Sequence, residues 1–179
     1  MTSIVDLSES MPNLVRKLFG DIFILMGKIH EKKDFDDESI RELAFEILVS
    51  IVEKKKGILS KDLQKIKILV EQNFKYALEI EEEISNEWLF PKGDSYGEEE
   101  IFEEEKVRTS MSFLERIIKI ATPTEILPFI SECVLTLLKN NEGWKYKYVA
   151  LMTISQIAEN IEDLTQVEPI LNVSIFLLL

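Results

Sequence analysis

The chain has one cysteine, one histidine, six glycines and five prolines among 179 residues. A single thiol leaves no internal disulfide to form and fits a reducing compartment. The one histidine, His30, and the one cysteine, Cys133, lie far apart in sequence. They leave no catalytic triad and no zinc set to recognise, and both read as packed structural residues. The scarcity of Gly and Pro leaves element interiors unbroken, which favours helices. Long apolar runs are missing too. Ile175 to Leu179 is the longest, far short of the roughly 18–20 residues that span a bilayer, so no membrane insertion is expected. Met1 to Ser10 has neither a basic start nor a long apolar run, so no secretory leader is expected. Nothing alternates with the period of a strand.

Basic residues are missing from one place above all. Between Glu79 and Glu105 stand twelve carboxylates and one base, Lys92. That stretch carries −11 of the chain's net −12, and the rest is near neutral. Carboxylates this dense repel one another and are strongly hydrated, so the stretch reads as a solvated insertion that attracts a cationic partner. An acidic chain also repels phosphate backbones, which argues against nucleic acid. The runs Glu81-Glu82-Glu83 and Glu103-Glu104-Glu105 lack the alternating ligands and tight glycine turn of a calcium loop, so no dedicated metal site is expected. No carboxylate is placed in an apolar pocket that would raise its pKa, so nothing supports an enzyme, and no cofactor is expected.

The apolar residues repeat. Ile40, Leu43, Ala44, Ile47, Leu48 and Ile51 form a helical stripe, and Tyr146, Val149, Ala150, Thr153, Ile154 and Ile157 form one with the same spacing. Thr109, Ser110, Phe113, Leu114 and Ile117 are a weaker copy. The small reference residues Ala44, Ser110 and Ala150 are 66 and then 40 residues apart, and the excess in the first interval is the acidic insertion. Each stripe follows another helical segment: Pro12 to about Glu31, Ser60 to about Glu83, and Pro123 to Lys139. Ser60 is a candidate N-cap. Thr122-Pro123-Thr124-Glu125 and Thr165-Gln166-Val167-Glu168 are capping boxes. A repeat of about 40 residues made of two antiparallel helices implies an all-α, right-handed α-solenoid of the HEAT or armadillo kind. About three and a half hairpins fit: 12–56, 60–121 with the insertion at 84–102, 123–161, and a partial repeat at 164–179. Apolar residues at both ends, Ile4, Val5 and Leu7 and then Leu171 and Ile175 to Leu179, lead us to expect an internal slice of a longer solenoid.

Three stretches carry a family resemblance. They are Asp36 to Val49 (DDESIRELAFEILV), the acidic block with Trp88 embedded in it, and Asn141 to Glu159 (NEGWKYKYVALMTISQIAE). In kind and order they resemble the importin-beta family of nuclear transport receptors, and within it the karyopherin beta-3, or Ran-binding protein 5, branch. Gly143 stands where Asp is usual in that pattern, and Tyr148 and Val149 replace smaller or more polar residues. The resemblance spans about residues 4 to 179. It implies binding without chemistry, in the cytoplasm and nucleus and at the nuclear pore. The implied partners are Ran in its GTP form and basic cargo on the concave face, and FG-repeat nucleoporins in convex grooves. The acidic loop would supply Glu81, Glu82, Glu83, Glu87, Asp94, Glu98, Glu99, Glu100, Glu103, Glu104 and Glu105. Trp88, beside Leu89 and Phe90, either inserts into a partner or folds back on the stack; the residues leave both open. Trp144 either packs between repeats or contacts a ligand on the concave face. A HEAT scaffold of a multiprotein assembly such as a phosphatase is the alternative reading.

Overall fold

The computed structural model describes residues 10–33, 39–54, 63–80, 105–121 and 123–161, with 165, 167, 168, 171 and 172 beyond them. Six helices account for nearly all of them: α1 (Pro12–Glu31), α2 (Ser39–Lys54), α3 (Leu63–Ala77), α4 (Glu105–Ile120), α5 (Pro123–Lys139) and α6 (Trp144–Asn160). No strand occurs among the described residues. Pro12 opens α1 and Pro123 opens α5, where a missing N–H costs nothing. Thr122 and Ser60, the expected caps, lie outside the described residues.

Packing follows the order of the chain. α1 packs on α2, α3 on α4, and α5 on α6. The second members of these pairs also pack in series, α2 on α4 and α4 on α6, while α3 packs on α5. One apolar cluster runs from Val15 in α1 to Val167. Val15, Phe19, Phe23 and Met26 form the inward side of α1, spaced four or three residues apart as one helical face requires. α2 is buried almost all round, through Ala44, Phe45, Ile47, Leu48, Val49, Ile51 and Val52, as a helix with neighbours on several sides must be. Ile40, expected on its core stripe, is 39% exposed in the first turn. The reference residues Ala44, Ser110 and Ala150 are all buried, which lets neighbouring backbones approach.

Two boundaries depart from expectation or extend it. α3 stops at Ala77 rather than near Glu83. Leu78 and Glu79 close its last turn through N–H bonds to the Phe74 and Tyr76 carbonyls, and the Glu79 side chain is then drawn away by ion pairs. Past α6, Val167 is buried, and the Leu171 N–H returns to its carbonyl over 3.1 Å. That is one turn of a further helix.

Candidate protein-binding site

The acidic stretch joins two helices that already pack together. It follows the end of α3 at Ala77 and enters α4 at Glu105. Its two roots are adjacent, since the Lys106 ammonium donates to the Glu79 carbonyl at 3.3 Å. Of the acids assigned to it, only Glu105 is among the described residues. It is exposed in the first turn of α4, where a carboxylate complements the positive end of the helix dipole. Glu81, Glu82, Glu83, Glu87, Trp88, Asp94, Glu98, Glu99, Glu100, Glu103 and Glu104 lie outside the described residues.

Glu79 corrects the reading of this stretch as solvated from end to end. Its side chain is 14% exposed and receives both Arg41 guanidinium nitrogens, at 2.8 and 3.0 Å. Lys33 closes on the same carboxylate at 3.0 Å. Burial alone would raise the pKa of this carboxyl, but the hydrogen bonds from Arg41 and Lys33 hold it below the usual glutamate value. The first acid of the stretch is thus an internal anchor that ties the end of α3 to α1 and α2.

Arg41 is the hub of this anchor, with a side chain only 6% exposed. Its Nε donates to the His30 carbonyl at 2.8 Å. His30 answers by donating Nδ1–H to the Arg41 carbonyl at 3.1 Å. A carbonyl can only accept, so the proton is on Nδ1 and the Nε2 lone pair is left over. That Nε2 is buried without a hydrogen bond. The ring lies against Phe45, with centroids 4.5 Å apart, and Tyr76, at 5.2 Å. Burial lowers the pKa of His30, and the neighbouring Arg41 charge adds to the effect. Tyr76 completes the junction by donating its hydroxyl to Glu42 at 2.6 Å.

A second polar cluster joins α2 to α4. Arg116 donates to Glu46 at 2.6 Å, Glu53 at 2.7 Å and Ser50 at 3.0 Å. A third joins α3 to α4, where Asn73 Nδ2 donates to the Ser110 carbonyl at 2.9 Å.

Two open grooves flank these clusters. One, of about 520 Å³, runs between α2 and α4 and is lined by Ser39, Glu42, Leu43, Glu46, Arg108 and Thr109 among others. The other, of about 380 Å³, runs between α1 and α3 over Phe23, Ile24, Gly27, Ile68 and Gln72. A Cβ on Gly27 would meet Gln72 Nε2 at 3.1 Å, so a larger residue there would have to push the Gln72 side chain aside by a few tenths of an ångström. That nitrogen donates to Glu31, while Gln72 Oε1 is buried with no partner.

Trp144 stands in the first turn of α6, 42% exposed, against Tyr148 with ring centroids 5.8 Å apart. Cys133 is half-buried, and burial with nearby Glu71 and Glu132 pushes its thiol up to about 11, which leaves it unreactive at neutral pH. Among the described residues no cluster of three or more metal-ligating side chains occurs, and no helix is long and apolar enough to cross a membrane. No protein-family model matches the chain.

Proposed function

We propose that this chain is a segment of a HEAT-type solenoid receptor that grips basic proteins, in the manner of importin-beta relatives with Ran-GTP and basic cargo. The observation that carries this reading is the acidic stretch itself. With Glu79 paired internally, residues 81–105 still carry a net −10, and this charge leaves and re-enters the helical stack at adjacent points, between the two members of one helix pair. Such a charge raises the local concentration of a cationic partner and speeds its encounter. The serial packing of α2, α4 and α6, with α3 on α5, is what stacked hairpins would give.

The α1/α3 groove suits the nucleoporin part of the reading. Phe23, Ile24 and Ile68 give it an apolar wall, with Lys28, Glu31, Gln64 and Lys65 also lining it. The α2/α4 groove and Trp144 would supply contacts on the opposite layer.

Binding of Ran-GTP and of a lysine-rich cargo peptide, measured with the full chain and with residues 84–102 deleted, tests the proposal. The full chain should lose at least about tenfold in affinity between low and physiological salt, as screening shortens the reach of the charge. The deletion should flatten that dependence. Equal affinity and equal salt slope in the two proteins would reject the role of the acidic stretch.

A further inference from the structure

We propose that His30, Arg41 and Glu79 form a pH-sensitive latch on the α3 root of the acidic stretch, which acidification opens locally while the rest of the helical stack stays folded. The three residues sit at element ends. His30 is in the last turn of α1, Arg41 is in the first turn of α2, and Glu79 lies just past the end of α3. Helix ends open at lower cost than a whole stack. His30 Nδ1–H donates to the Arg41 carbonyl and Arg41 Nε donates to the His30 carbonyl, so the two residues fix each other. The same guanidinium grips Glu79 through its two other nitrogens. Whatever displaces the His30 ring therefore loosens the group that holds Glu79. The latch does not depend on what the acidic stretch binds.

A proton is what displaces the ring. Nδ1 already carries one, so a second must go to Nε2, which is buried without a hydrogen bond. The residue is 2% exposed, with Phe45 and Tyr76 against its ring. The charged groups around it do not rescue an imidazolium. From α2, Arg41 brings a cation, its guanidinium carbon 5.3 Å from the Tyr76 ring centre, while Glu42 takes the Tyr76 hydroxyl. Past α3, Glu79 is held by Arg41 and Lys33. From α4, the Lys106 ammonium lies 5.9 Å from the same Tyr76 ring. On α1 itself, Glu31 receives Gln72 Nε2. The Arg41 and Gln72 main chains and the Glu79 charge favour the imidazolium, and burial with the Arg41 charge outweighs them. The closed junction thus keeps His30 neutral, whereas the open one lets it take a proton at its ordinary 6.5. Opening therefore grows as pH falls below 6.5. His30 is the chain's one histidine, and no other side chain has an ordinary pKa between 5 and 8.

Hydrogen exchange of the full chain at pH 7.5, 6.5 and 5.5, read by mass spectrometry and corrected for the intrinsic pH dependence of amide exchange, tests this. Protection at the end of α1, the start of α2 and the end of α3 should fall by up to about tenfold from pH 7.5 to 5.5, the most that one imidazole of ordinary pKa supplies in the open form. Protection in α5 and α6 should hold. His30→Phe and His30→Gln cannot take the proton, and each should remove the response; two variants are used so that one may fail to fold. The His30 ring of the unaltered chain, followed by NMR, should titrate below 6.5. Titration at or above 6.5 overturns the latch whatever the variants do. So does an equal loss of protection in every helix, or the same local loss in a folded His30 variant.

Discussion

Arg41 donates three hydrogen bonds from a side chain almost closed to solvent, and the partners come from different parts of the chain. Removing one member of a buried ion pair strands the other, which typically costs about 3–5 kcal/mol. We therefore expect Arg41→Ala to lower the urea midpoint by that order with an unchanged m-value, and Arg41→Met with Glu79→Leu to recover much of the loss. His30 sets a pH dependence. Its folded pKa lies below the ordinary 6.5, so the unfolded chain binds the proton more readily. Its contribution is present in full above pH 6.5 and is lost as pH falls from there through the folded value. Glu79 adds a second loss on the acid side, below its ordinary 4.5. Unfolding titrations at pH 7.5, 6 and 5 should show falling stability, and His30→Phe should flatten the slope above pH 5. None of this was legible in the sequence. Arg41 sits among Ile40, Leu43 and Ala44 as any helix-surface arginine would, and Glu79 was counted with the solvated acids. Only the fold brings positions 30, 41 and 79 together.

Helix positions, by contrast, were largely readable, and so was one contact between helices. The 66-residue offset that aligns Ala44 with Ser110 also aligns Ser50 with Arg116, and these two side chains touch at 3.0 Å. Residues of α2 and α4 that share this offset therefore meet in the structure. The acids around Arg116 were harder to foresee, although Glu46 and Glu53 lie two turns apart on one helix face. Burial alone would lower the pKa of this guanidinium, but its bonds to Glu53 and Glu46 raise it. The acids are more than a third exposed, so the net gain is modest. Arg116→Ala should cost about 1 kcal/mol, and less in high salt. Ala150 offers a sharper test of the α4–α6 packing. It is fully buried, and Ala150→Leu should destabilise by about 1–3 kcal/mol or more through overpacking, read as a fall in melting temperature. The end of α3 was not legible because helical periodicity runs on past Ala77, whereas the ion pairs of Glu79 just beyond it join residues distant in sequence.

For the molecule as a whole, the charge of the acidic stretch was plain in composition, but the closeness of its two roots was not. Because Lys106 reaches the Glu79 carbonyl, a link of five residues (81–83 joined to 103–104) is long enough to reconnect α3 to α4. Deleting residues 84–102 should therefore change unfolding stability by no more than about 1 kcal/mol, since loop-closure entropy varies slowly with length. A larger loss in a calorimetric scan would mean that the stretch packs against the helices. The same closeness has a consequence for the intact backbone. A protease cut within 84–102 would sever the chain without separating it, because α2 lies against α4, α3 against α4 and α3 against α5 across the break. The two pieces should co-elute, and separately produced halves should reconstitute on mixing, so that continuity of the polypeptide at that point is dispensable once the parts have met.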